Sequence, residues 1–190
     1  MSATATSRMT AEEYYAVTVV GDRKQLVEGE IVVNEPKAVH ARLHGRLFFA
    51  LEAWVRDGDG RGAAFLPTDV RMDAHNVYGP DLVWFSEPGL RAAFPSGLDA
   101  YPERVPDLCV EIRSASTWRY DIGAKKRVYE AGGLPELWLV DDASETVLVY
   151  RRSTPKSPTF DAALELGRGE ALTSPQLPGF SLALDQLFER

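Results

Sequence analysis

Three residues in the middle of this chain have the types and spacing for chemistry: Asp81, Glu111 and Lys125. Asp81 follows Gly79-Pro80 and heads the apolar run DLVWF, and Glu111 lies inside the apolar run of VPDLCVEIRS. Each carboxylate is thus predicted on a buried strand beside a turn, where an ionised acid is costly unless a cation or hydrogen bonds hold it. If the two strands are neighbours, the two anions converge, and a hard divalent cation with oxygen ligands is the usual remedy. Magnesium takes one or two carboxylates, keeps waters and binds a substrate phosphate. The backbone carbonyl of Ile112 could complete such a set, and Lys125 would place a cation near the attacked phosphate. That is the logic of metal-assisted phosphodiester hydrolysis.

The elements that must position these groups run from Val105 to Asp141. They read as a strand (107–112), a helix (117–131) and a second strand (136–141), a right-handed β–α–β crossover. Asp121, Lys125 and Tyr129 stand at steps of four and share one helix face. Gly132-Gly133 is expected to cap that helix. From Arg104 to Arg127 six basic residues (Arg104, Arg113, Arg119, Lys125, Lys126, Arg127) face three acids (Asp107, Glu111, Asp121), a local excess of three positive charges. Trp118 and Tyr120 interleave with them and could stack on bases, or simply cover the helix start.

Upstream, Thr10 and Glu13 form a predicted capping box for a short helix. QLVEGEIVVN reads as two strands around a turn at Glu28-Gly29, with Val27 and Ile31 in the core. Lys37 to Arg56 is helical by its apolar spacing, with Val39, Leu43, Leu47, Leu51 and Trp54 inward. His40 and His44 lie one turn apart on it. They lack the intervening Glu and further ligands of a zinc motif, so hydrogen bonding or packing is expected of them. Residues 63–66 and 68–72 read as strands joined at Pro67 by a hairpin-like or bulged join, and 87–104 as a surface excursion carrying a short helix. Edge strands at 145–152 and 159–166 and a short terminal helix within 176–188 close the chain. GDGRG (58–62) and STPKSP (153–158) read as turns between strands.

The chain of 190 residues fits one domain, 1–190, with a disordered tail at 1–8 and the C-terminal strands and helix at 145–190. A formal charge of −7 argues against a generic polycation but leaves room for a local basic groove. The single cysteine, Cys109, excludes an internal disulfide and a cysteine-rich zinc site, and it reads as a buried structural thiol. No segment has the roughly 18 apolar residues that a membrane span needs, and no apolar run follows a basic region at the N-terminus. A cytoplasmic protein is the expectation.

The ordered set PD (80–81), PDLCVEIRS (106–114), D-x3-K-x3-Y (121–129) and LPELWLVD (134–141) resembles the Uma2 family of restriction-endonuclease-like proteins, within the PD-(D/E)XK nuclease superfamily. MTAEEYY, LVEGEIVV, the His40 helix and LPTDVRMD extend the resemblance over most of the chain, from about Met9 to Tyr150. It implies an α/β (α+β) restriction-endonuclease-like core, a central mixed sheet flanked by helices, and an Mg2+- or Mn2+-dependent endonuclease acting on DNA. Asp81 and Glu111 match the acidic metal ligands. Arg113 stands where the superfamily has lysine, which the family moves to the position of Lys125. Arg113 cannot act as a base but could clamp a phosphate, with Ser114, Arg119 and Tyr129 as further substrate-binding candidates. Glu30 and His40 match upstream acidic and histidine positions of the same pocket. Ala115 replaces a usual proline and Gln25 a frequent glutamate. Two other readings stand beside this one: a catalytically silent binding or scaffold protein, and a metal-dependent hydrolase of a small phosphorylated molecule. The edge strands make a homodimer plausible.

Overall fold

In the computed structural model, residues 8–19 and 22–189 are described; the tail expected at 1–8 lies, except for Arg8, outside them. Thr10 caps α1 (Ala11–Val17) as predicted, its hydroxyl accepting from the Glu13 N–H while the Glu13 carboxylate accepts from the Thr10 N–H. β1 (Lys24–Val27) and β2 (Glu30–Val33) form a hairpin whose two turn residues, Glu28 and Gly29, both have positive φ. That twist matches the flanking strands. α2 (Ala38–Arg56) follows, then β3 (Ala63–Phe65), β4 (Val70–Asp73), β5 (Asn76–Tyr78) and β6 (Leu82–Phe85). α3 (Glu87–Ala93) is the short helix of the surface excursion.

The centre is a six-stranded mixed sheet in the order β10-β9-β8-β7-β6-β3. β7 (Leu108–Ile112) and β8 (Glu136–Asp141) are parallel, and the helical segment between them runs as α4 (Trp118–Tyr120), a π-helical turn (Asp121–Lys125) and α5 (Lys126–Ala131). α5 ends at Gly132-Gly133, where the Leu134 N–H reaches back to the Tyr129 carbonyl. β9 (Thr146–Arg151) and β10 (Ala162–Leu166) complete one side.

Alternation along the strands divides the core in two. Leu82, Trp84, Leu108, Val110 and Ile112 point to one face and pack against Leu43, Leu47, Leu51 and Trp54 of α2. α6 (Leu184–Leu187) and the small β11 (Ala171–Leu172)–β12 (Leu182–Ala183) pair close that layer. Val83, Phe85, Cys109, Leu137 and Leu139 point to the other face, toward Tyr129 of α5 and toward Val27, Val70 and Tyr78 of a second, antiparallel sheet, β2-β1-β5-β4. α1 seals that sheet through Ala11 and Tyr14 against Leu26 and Val77.

Several expectations change. β3 and β4 belong to different sheets, so Pro67 marks a crossing between sheets rather than a hairpin or bulge. Segment 58–62 links α2 to β3, a helix to a strand. Gly62 there has φ +71, and a Cβ would meet the Phe85 carbonyl oxygen, so only glycine fits. Ile31 and Val39 are exposed, because no layer covers the outer side of β2 or the first turn of α2. β9 is an inner strand, leaving β10 and β3 as the sheet's edges. Among the described residues no helix is long and apolar enough to cross a membrane.

Candidate active site

The register of β6 against β7 pairs Leu82 with Val110, which sets Asp81 opposite Glu111 at the ends of their strands. The strands are neighbours, the condition under which the sequence reading expects the two acids to converge. Asp81 is fixed from two sides: its Oδ2 accepts the Ile112 N–H at 2.7 Å, and its Oδ1 lies 3.1 Å from His40 Nε2, brought in by the first turns of α2. The same main chain that carries one candidate ligand therefore orients the other.

Glu111 is held from the helix side. Its Oε1 accepts the Tyr129 hydroxyl at 2.6 Å and meets the Lys125 ammonium at 2.6 Å. Lys125 also lies 3.0 Å from Asp121 Oδ1, while Asp121 Oδ2 accepts from the Thr117 hydroxyl at 3.2 Å. Asp121 and Lys125 begin and end the π-helical turn, and both are buried. Such turns recur at functional sites, where they re-aim side chains. Asp121 is the site residue that sequence reasoning left unassigned. Its signal was present in the four-residue step to Lys125, which makes the two neighbours on one face.

Two buried carboxylates, Glu111 and Asp121, share the buried Lys125 ammonium, with Asp81 close enough to add its charge, and the electrostatics follow. Burial pushes the Glu111 carboxyl up to about 8, with the charges of Asp121 and Asp81 adding and Lys125 opposing. Burial raises Asp121 as well. Burial alone would lower Lys125, but Asp121 and Glu111 outweigh it and hold the ammonium charged. Near neutral pH the cluster retains an extra proton on its carboxylates, shared among coupled groups.

This donor set fits a magnesium-type ion. Asp81 and Glu111 supply two carboxyl groups with hard oxygen donors, the proton that the crowded acids retain is one a bound cation would displace, and Asp121 Oδ1 is completely buried with no aligned hydrogen bond. Among the described residues no three His, Cys, Asp or Glu side chains form a ready-made metal cage. Two carboxylates suffice for magnesium, which draws the remainder from water and phosphate. The rings of His40 and His44 stand 6.3 Å apart, and burial lowers His44 so that it stays neutral.

The other candidates are placed differently. Ser114 is buried and joins the Thr117 hydroxyl at 2.7 Å, starting the helix. Tyr129 is buried and spends its hydroxyl on Glu111. Arg113 pairs with Asp141 at 2.7 and 2.9 Å, a contact set by the parallel register of β7 and β8. Arg119 is exposed and lies over the Tyr120 ring. Glu30 is exposed at the start of β2, on the hairpin rather than in the cluster. The basic residues of 104–127, which left room for a local groove, mostly have partners within the protein. Arg104 pairs with Asp107, Arg127 lies 3.6 Å from Glu28, Lys126 covers the Tyr150 ring, and Lys125 is internal.

Beside Asp81 opens a cleft of about 390 Å3 between the β1–β2 hairpin, the start of α2 and the 67–69 segment. It shares Asp81 and His40 with the cluster.

Comparison with known proteins bears on the family and the fold. The family model described as "Uma2: Putative restriction endonuclease" matches residues 11–185. A crystal structure of a putative nuclease belonging to DUF820 from Anabaena variabilis superposes with a TM-score of 0.76 at 18% identity, covering 95% of this chain and 97% of that one. The likeness shows a shared fold. No curated protein matches the chain.

Proposed function

The chain belongs to the Uma2 family, and from that premise we propose that it is an Mg2+- or Mn2+-dependent endonuclease that hydrolyses DNA phosphodiester bonds. The observation that carries the reading is the opposition of Asp81 and Glu111 across β6 and β7 within a cluster of buried acids. Asp81, Glu111 and the Ile112 carbonyl would hold the ion. When bound, such an ion supplies Lewis acidity and lowers the pKa of water. The protein's own groups do the rest. Lys125 offers a fixed positive charge beside Glu111 for the charge that develops on the attacked phosphate. Tyr129 and Asp121 hold Glu111 and Lys125 in place, so Tyr129 is a positioning residue in this reading. His40 steadies Asp81 from the solvent side. Hydrolysis adds water across one P–O bond and leaves a phosphate monoester and a hydroxyl.

The test is cleavage of plasmid, single-stranded and branched DNA with magnesium or manganese, alongside calorimetric metal binding. Asp81→Asn and Glu111→Gln are expected to cut the cleavage rate by about 100-fold or more, the scale of losing a principal electrostatic contact. A folded parent that neither binds metal nor cleaves would overturn this reading. It would promote the scaffold alternative, which the internal Lys125 pairing and the committed basic residues favour.

A further inference from the structure

The cleft beside Asp81 has chemistry that phosphodiester hydrolysis does not use. Its walls carry polar atoms without partners among the described residues. Gln25 and Asn34 each bury an amide oxygen with no donor, and His44 buries its Nε2 with no partner. Gln25 is 5% exposed, so this amide has little water to satisfy it. Asp69, more than half buried, likewise finds no donor among the described residues. Buried polar groups are nearly always paired, and a set gathered around one opening calls for a ligand that pairs them. The terminal torsions of Gln and Asn are broad, so a small rotation turns either oxygen toward the cleft.

The set is acceptor-rich, which selects a ligand rich in donors. It is also anionic: Asp22, Asp69 and Asp81 line the cleft against Arg23 and Lys24, and Lys24 is tied to Asp22 at 2.7 Å. A phosphate would be repelled from the interior, whereas a neutral group with N–H donors would not. At the rim stands Tyr101, half exposed, its ring 4.9 Å from that of Tyr15 and tilted by 31°. Together they offer an aromatic platform of the kind on which bases stack. The volume lies at the low end of small-ligand pockets, which run to about 300–1,000 Å3.

We propose that this cleft receives one nucleoside unit, base first, and prefers bases that carry an exocyclic amino group over thymine. Its phosphate stays outside, at the mouth of the cleft. The proposal rests on the reading of the protein as an endonuclease when the unit belongs to a DNA strand. The same chemistry would serve a free mononucleotide. A base can enter only if unpaired, so single strands or extruded nucleotides are the form bound.

The full chain, in calcium, is titrated calorimetrically with dA, dC and dT dodecamers, a duplex, and the mononucleotides dAMP, dCMP and dTMP. The parent is expected to bind dA and dC dodecamers at least about tenfold more tightly than dT, within the discrimination of a good base contact, and the duplex more weakly. Asp69→Asn and Gln25→Met, checked for folding by circular dichroism, are expected to shrink that preference to about threefold or less. The same preference among mononucleotides, with no dodecamer bound, would support the nucleoside site with a free nucleotide as occupant and count against the endonuclease. Equal affinity for dT, a preference that survives both variants, or no binding of any probe would overturn the proposal. Plasmid cleavage, measured separately, tells whether the endonuclease reading falls with it.

Discussion

β7 presents two different worlds from five residues. On one side Leu108, Val110 and Ile112 meet α2 in an apolar layer. On the other, Cys109 leads to Glu111, whose carboxylate is buried against an ammonium, a phenol and two further acids. The first face gains from every atom it buries. The second loses solvation and recovers it only through contacts that must all be present together. One strand can carry both because side chains alternate, so the apolar face supplies the rigidity on which the charged face is held. The lesson is that the site is strained in electrostatics rather than in backbone, and that its cost is met by a core one residue away.

Breaking the charged face should cost more than breaking the apolar one. Lys125→Met strands Glu111 and Asp121 without their cation, and denaturant titration at pH 8 should show a loss of about 3–5 kcal/mol. A loss below 1 kcal/mol would mean the carboxylates are not held by Lys125. Leu108→Ala, on the apolar face of the same strand, should cost about 3 kcal/mol and leave the pH dependence of stability unchanged.

The pH profile sharpens the contrast. Glu111 is raised from its ordinary value to about 8, so the folded state binds a proton that the unfolded chain has released. Its contribution is fully present below the ordinary glutamate range and is lost as pH rises through about 8. The slope can approach about 1 kcal/mol per pH unit in that window. Glu111→Gln should flatten it while Leu108→Ala keeps it, which thermal unfolding across pH 5–9 would read. The smallest effect is that of Tyr129→Phe, about 1 kcal/mol from one lost hydrogen bond. Metal affinity should weaken in that variant, since Glu111 loses one of its two anchors.

Local rules made much of this legible. The capping box at Thr10 and Glu13, the Glu28-Gly29 turn and the strand–helix–strand from Leu108 to Asp141 depend on neighbours in sequence, and each formed as expected. Asp81 and Glu111 could be read because each interrupts an apolar strand. The second sheet could not, since it is tied across sequence by contacts such as Leu26 with Val77. The pairing of Arg113 with Asp141 was not legible, because Asp141 becomes its neighbour only once the parallel register is known. The cleft escaped for the same reason: Gln25, Asn34, His44 and Asp69 come from separate segments, and no spacing unites them.

The helical segment that carries the site makes it sensitive to chain length as well as to residue identity. The π-helical turn at Asp121–Lys125 already accommodates one residue more than a regular turn, so it could lose one with little change of phase. Removing exposed Arg127 from the ordinary helix that follows would instead rotate Tyr129 by about 100° relative to Lys125. Every acid, amine and phenol of the cluster would still be encoded, yet they would no longer face one another. In this fold a single-codon deletion can silence a complete set of functional residues by phase alone.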